Sequence, residues 1–300
     1  MTRRFVTLDV FTGKPLAGNP LAIVLDCDGL ETADMQAIAR EFNLSETVFV
    51  LPPEKPMHSA RVRIFTPGAE LPFAGHPTVG TAIYLGTERA GTSGDLLVVI
   101  EEAIGVVRCA VKVRPDQPGY AVFDVPGAVE ELPGTADKSS IAAALGLTSS
   151  EVGFENHKPS RFTAGVPFSF VPVAGLDELD NISVDLAAWE EAFGMDSHAA
   201  AFVYCRETTA TAHHFAARMF APSMGILEDA ATGSACAAFA GVVQKFDDMP
   251  DGSHRLTIEQ GYAMGRPSLI QLELDVEGDT LGDVRIGGHA VQVSEGTLNL

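Results

Sequence analysis

Arg63-Ile64-Phe65-Thr66-Pro67 runs into Leu71-Pro72-Phe73-Ala74-Gly75-His76-Pro77-Thr78-Val79-Gly80, and the chain then repeats the idea. Arg218-Met219-Phe220-Ala221-Pro222 runs into Gly225-Ile226-Leu227-Glu228-Asp229-Ala230-Ala231-Thr232-Gly233-Ser234-Ala235. Each copy reads as a strand ending at a proline, then a turn of small residues that opens a helix. The two prolines stand 155 residues apart in a chain of 300. A repeat of half-chain length predicts two similar domains, each presenting a helix N-terminus to a shared cleft.

Outward from the repeat, apolar runs and turn residues predict strands at 4–10, 20–26, 47–51 and 62–66, and a helix over 31–42. The first copy opens a helix over 77–85, with Pro77 in its first turn, where no backbone hydrogen bond is lost. Strands follow at 95–101, 106–113 and 119–125, and Pro115 with Pro118 predicts a domain boundary at 117. The second half reads as helices at 139–146, 185–193 and 235–246. Its strands fall at 167–173, 200–205, 256–259, 268–274, 283–286 and 289–293. The expected class is α+β, with lobes over 1–117 and 118–286 and the last strand, 287–300, returning to the first lobe.

Composition narrows the functions. A 46% hydrophobic content supports a sizeable core, and no apolar run is long enough for a membrane span. The formal net charge of −20 argues against a nucleic-acid surface and leaves an anionic ligand dependent on local positive potential. Helix N-termini and Arg63, Arg218 and Arg266 are the candidates for that potential. Cys27, Cys109, Cys205 and Cys236 are scattered without metal-ligand or disulfide spacing, so a cytoplasmic chain with no metal site is expected. The chain has no P-loop, GxSxG, HExxH or strand-linked GxGxxG, and so gives no reason to invoke a cofactor.

A small set of ionisable groups remains. Glu46 opens an apolar strand; it reads either as a solvated carboxylate or as a desolvated acid/base. His76 stands between Gly75 and Pro77 at a helix start, as a cap or as a neutral imidazole beside the positive end of the dipole. Asp229, Thr232 and Ser234 all suit helix capping, Thr232 most of all. His213 and His214 are adjacent, and on a strand they would point to opposite faces. Arg63 and Arg218 suit cross-strand ion pairs as well as substrate contact.

Five ordered motifs carry a resemblance: Gly18-Asn19-Pro20, Asn43-Leu44-Ser45-Glu46-Thr47, Phe73-Ala74-Gly75-His76-Pro77-Thr78, Asp229 with Ala231-Thr232-Gly233-Ser234-Ala235, and Gly265-Arg266-Pro267-Ser268. Together they resemble the PhzF phenazine-biosynthesis family, from the N-terminus almost to residue 293. The resemblance implies a diaminopimelate-epimerase-like fold of two pseudo-symmetric lobes, each a curled sheet around a central helix. It also implies an interlobe active site and a homodimer. It assigns the proton-shuttling acid/base to Glu46, and completes the polar site with His76, Asp229 and Ser234. Gly75, Pro77 and Thr78 of the first turn and Thr232, Gly233 and Ser234 of the second are the expected substrate-binding residues.

Related cofactor-independent epimerases carry a cysteine before the glycine of each turn. The equivalent positions here are Ala74 and Thr232, so the two-thiol mechanism has lost both thiols. The expected activity is a proton shift on a small cyclic or amino carboxylate, of the dihydro-hydroxyanthranilate kind, with one glutamate and no cofactor. A non-thiol epimerase or racemase and a non-catalytic carboxylate-binding protein are the alternatives. Ala230 departs from the family pattern, which usually has proline after the aspartate.

Overall fold

The computed structural model describes residues 2–195, 199–278 and 280–300. The chain divides into two compact units, Met1–Asp124 with Ile286–Leu300, and Val125–Arg285.

The first unit contains β1 (Thr2–Val10), β2 (Asn19–Val24), α1 (Thr32–Phe42), β3 (Glu46–Leu51), β4 (Ala60–Phe65) and β5 (Glu70–Leu71). It continues with α2 (Gly75–Ala90), β6 (Gly94–Glu102), β7 (Gly105–Val113) and β8 (Gly119–Asp124). The second unit contains β9 (Glu130–Leu132), α3 (Lys138–Leu145), β10 (Ser160–Thr163), β11 (Pro167–Pro172), α4 (Leu176–Asp180) and α5 (Leu186–Phe193). It continues with β12 (Ala201–Cys205), β13 (Phe215–Ala221), β14 (Ile226–Asp229), α6 (Gly233–Phe246), β15 (Gly252–Gln260) and β16 (Ser268–Glu277). The last strand, β17 (Thr280–Asn299), begins in the second unit and ends in the first. Mixed sheets and few helices thus make up the chain. The boundary expected at 117 lies at 124, because β8 pairs along β7 from Lys112↔Tyr120 to Cys109↔Phe123.

Both units use one pairing pattern. In the first, β1 is antiparallel to β2, β2 parallel to β3, β3 antiparallel to β4, and β4 antiparallel to β5 and parallel to β6, which is antiparallel to β7. The second unit repeats these steps in order with β10, β11, β12, β13, β14, β15 and β16. Side chains repeat as well. Arg63 pairs with Glu70 at 2.6 Å and lies over the Phe65 ring; Arg218 pairs with Glu228 at 2.8 Å and lies over Phe220. These cross-strand ion pairs, rather than free cations, are what the two arginines form.

Sheet closure places α2. β17 pairs with β1 on one side and with β8 on the other, closing β1, β2, β3, β4, β6, β7, β8 and β17 into a ring. Inside it α2 packs against β1, β2, β3, β6, β7 and β8, burying Val79, Ala82 and Ile83. The outer face is covered by α1, whose Met35, Ile38 and Ala39 meet Val24, Phe49 and Phe65. In the second unit α6 packs against β9, β10, β11 and β16, and its Phe239 is ringed by Phe170, Phe202, Tyr204 and Phe215. There α3 and α5 cover the other face, around the fully buried Trp189. Among the described residues no helix is long and apolar enough to cross a membrane.

Candidate active site

The predicted residues fall into two groups, one in each unit. In the first, α1 ends on Asn43 in the left-handed conformation (φ 51°), which turns the chain so that β3 starts at Glu46. Glu46 then aligns with Leu21 of β2, directly after the Gly18-Asn19-Pro20 turn. Gly18 has φ +68°, and a Cβ there would lie 2.3 Å from the Val10 carbonyl, so only glycine lets this turn close. The turn buries Asn19 completely and sets its amide Nδ2 3.4 Å from His76 Nδ1.

His76 is the second residue of α2, behind Ala74 at the N-cap, and is 3% exposed. Burial pushes its pKa down to about 3, opposed only by hydrogen bonding to the Pro20 backbone, so the ring is neutral at physiological pH. Its Nδ1 lies 3.4 Å from Glu46 Oε2 as well as from the Asn19 amide. That nitrogen serves one partner at a time: bare, it accepts from Asn19; protonated, it faces the Glu46 carboxylate. The Glu46 side chain keeps 14% exposure, so its carboxyl group is nearly but not fully buried. No side chain caps α2, and Gly75, Pro77 and Thr78 are buried in its first turn. Thr78 Oγ1 lies 2.8 Å from the Ala74 carbonyl oxygen and 2.7 Å from Glu102 Oε1.

In the second unit Asp229 ends β14 and is buried. Thr232 occupies the N-cap of α6 as expected of a capping residue, but its hydroxyl is turned away from the helix. It donates to Asp229 Oδ2 at 2.6 Å, because the buried carboxylate needs a donor more than the helix end does. Gln260 completes the arrangement: its Oε1 accepts from the Thr232 backbone N–H at 3.0 Å. Its Nε2 donates to the Asp229 carbonyl at 2.9 Å and to Thr232 Oγ1 at 3.0 Å. The first turn of α6, from buried Gly233 and half-buried Ser234, therefore also has no side-chain cap.

Glu102 and Gln260 escaped the sequence reading, and Asn19 stood in a motif there without a role of its own. A signal exists for the first two, since Glu102 shares strand parity with buried Val98 and Ile100, and Gln260 with Leu256 and Ile258. The cysteines are all free and buried, and Cys236, a full turn into α6, has its thiol pushed up by burial. His213 and His214 precede β13 instead of lying on it. His213 bonds the buried Glu259 at 2.5 Å, and His214 Nδ1 accepts from the Thr257 N–H at 3.1 Å.

Residues 8–296 match the PhzC-PhzF family, described as phenazine biosynthesis-like protein. The chain belongs to this family. A trans-2,3-dihydro-3-hydroxyanthranilate isomerase of Pseudomonas aeruginosa is 34% identical to it over 99% of each chain. An uncharacterized isomerase of Mesorhizobium japonicum is 55% identical, again over 99% of each. The crystal structure of a PhzF-family phenazine biosynthesis protein from Bacillus anthracis superposes with a TM-score of 0.89 at 28% identity, covering 100% of both chains. This PhzC-PhzF protein is accordingly an isomerase with the PhzF fold.

Proposed function

We propose that the chain is a cofactor-independent isomerase that moves a proton between two carbons of a small cyclic or amino carboxylate, with Glu46 as its single acid/base. The observation that carries this reading is the Glu46 carboxyl group set 3.4 Å from Nδ1 of a buried, neutral imidazole, at a helix end that no side chain caps. Glu46 as carboxylate removes a proton from an activated carbon, and as carboxylic acid returns it to another carbon of the same conjugated system. Atoms balance with no redox partner. While Glu46 holds the proton, bare Nδ1 of His76 can accept a hydrogen bond from it, keeping the acid oriented. Such catalysis typically contributes about 10²–10⁴-fold.

The first-turn N–H groups of α2 and α6 are proposed to take the substrate's carboxylate and the charge of the delocalised intermediate. Asp229, with Thr232, Gly233 and Ser234, is proposed to hold an amino or hydroxyl group. Alanine at position 74 and threonine at 232 leave no thiol pair, so the two-base racemase route lacks its acids. The name of the Pseudomonas aeruginosa relative supports a dihydro-hydroxyanthranilate-like substrate class. The family reading also carries a pseudo-symmetric two-lobed α+β architecture, a cytoplasmic setting and a homodimer, the last testable by sedimentation.

The test is turnover of trans-2,3-dihydro-3-hydroxyanthranilate and related cyclic carboxylates in deuterated water. Isomerisation with deuterium entering the shuttled position is expected from the wild type, and about 10²–10⁴-fold less from Glu46→Gln. Normal turnover in that variant overturns the assignment. Loss of optical activity from a chiral amino acid would favour an epimerase, and tight binding without turnover a binding protein.

A further inference from the structure

Glu102 closes β6 with its side chain buried against the first turn of α2. Its Oε1 lies 2.7 Å from Thr78 Oγ1, and that same hydroxyl lies 2.8 Å from the Ala74 carbonyl oxygen. A threonine hydroxyl has one hydrogen. If that hydrogen goes to Ala74, the contact with Glu102 is a hydrogen bond only when the carboxyl group brings a hydrogen of its own. The other oxygen, Oε2, is buried with no hydrogen-bond partner, an arrangement that is costly for a carboxylate.

The repeat supplies an independent check. Glu101 accepts the backbone N–H groups of Glu54 and Lys55 and bonds His58 at 2.6 Å; Glu259 accepts those of Thr209 and Ala210 and bonds His213. His58 and His213 are separated by the same 155 residues as the two prolines. The residue after each of these glutamates is therefore also a matched pair: Glu102 beneath α2 and Gln260 beneath α6. The second copy fills the position with a neutral amide, which both donates and accepts. A protonated carboxyl group is the form of glutamate that does the same.

We propose that Glu102 is a positioning residue: as a neutral carboxylic acid it donates to Thr78, fixes the Ala74–Thr78 turn, and keeps buried negative charge away from the helix end that takes the substrate's carboxylate. The last clause rests on the function proposed above; the protonation and the Thr78 bond do not. Burial pushes the Glu102 pKa up to about 8, with Thr78 opposing. The ionisable groups around it are neutral or paired. On α2, His76 is neutral. On β7, Cys109 of the same sheet is held in its thiol form by burial. On β4, Arg61 is paired with Glu54, and Glu101 beside it with His58. Ionisation would swing the Thr78 hydrogen from Ala74 to Glu102 and place a charge under the turn.

Thermal unfolding against pH tests the proton without any substrate. The folded-state pKa lies above the unfolded value, so the contribution of Glu102 to stability should be full below about 4.5 and be lost as pH rises to about 8. Relative to Glu102→Gln, the wild type should lose melting temperature across that window and then run parallel. Parallel curves throughout overturn the proposal. If the variant does not fold, wild-type infrared spectra on crossing pH of about 8 should lose one buried carboxylic C=O band, and an unchanged spectrum overturns it equally.

Kinetics with the dihydro-hydroxyanthranilate test the role. Glu102→Gln should keep kcat and remove a rise in KM that the wild type shows above pH of about 8, while Thr78→Val should raise KM already at neutral pH. An unchanged alkaline limb in Glu102→Gln overturns the positioning role. Should Glu46→Gln prove active, the reading of Glu46 fails while the melting result for Glu102 stands or falls by itself.

Discussion

His76 owes its neutrality first to burial, which holds its pKa at about 3 beside Glu46. Here the folded-state value lies below the unfolded one. Its contribution to stability is therefore present above about 6.5 and is lost as pH falls toward about 3. Melting curves of the wild type should drop through that window, and His76→Gln should flatten the drop; an equal drop in both would contradict the burial argument. Glu46→Gln should lower kcat by about 10²–10⁴-fold with an unchanged circular dichroism spectrum and melting temperature, since the amide keeps the shape and loses only the proton.

Glu46, His76 and Asp229 were legible because each lies in a short motif of conformational specialists. The partners that set their chemistry were not. Asn19 reaches His76 from 57 positions away, and Gln260 reaches Thr232 from 28. No local pattern encodes such approaches. Thr232 was misread as a cap for the same reason, since its hydroxyl answers to a carboxylate and an amide that the local pattern does not bring together.

Among the elements, long periodic segments were read correctly and short ones were missed. The predicted helix at 31–42 is α1, and the one at 235–246 is α6, which starts two residues earlier. β5 and β9 have two and three residues, too few for a period to register, and exist through their pairing with β4 and β10. β17 is one strand of 20 residues where two short ones were expected. Gly287 serves close approach: a Cβ there would lie 2.7 Å from the Tyr120 hydroxyl and 2.9 Å from the Ala121 carbonyl.

The repeated histidine–glutamate clasps are the clearest element-level trace of duplication, and each ties down the loop before a central strand. Glu259 is 1% exposed and takes hydrogen bonds from two backbone N–H groups, a hydroxyl and His213. Glu259→Ala leaves those donors without an acceptor and should cost on the order of 3 kcal/mol, measurable by denaturant unfolding. A change within experimental error would mean the loop finds other partners.

At the level of the whole molecule, the formal charge of −20 makes the chain a poor general attractor of anions, so affinity for a carboxylate has to come from particular groups. The arginines that sequence put forward are not all free to supply it, because Arg63 and Arg218 are spent on Glu70 and Glu228. Two helix ends whose N-cap side chains do not close them are the proposed source of that affinity. The half-chain repeat made that much visible early, and the last strand, expected to return to the first lobe, closes the first unit's sheet.

That closure bears on the order in which the protein can assemble as it is made. β1 is synthesised long before its partner along Thr2–Val10, the stretch from Ala290 to Asn299. Residues 125–285 include every strand of the second unit's repeated pattern, so that unit can settle while the first still lacks a side of its ring. N-terminal domains usually fold first during synthesis; here the order should reverse. A chain stopped at Arg285 should show protease resistance confined to 125–285, with cleavage throughout 1–124, and equal protection of both segments would refute it. Until the stretch Ala290–Asn299 leaves the ribosome, the first unit should remain an open sheet of the kind that chaperones shield.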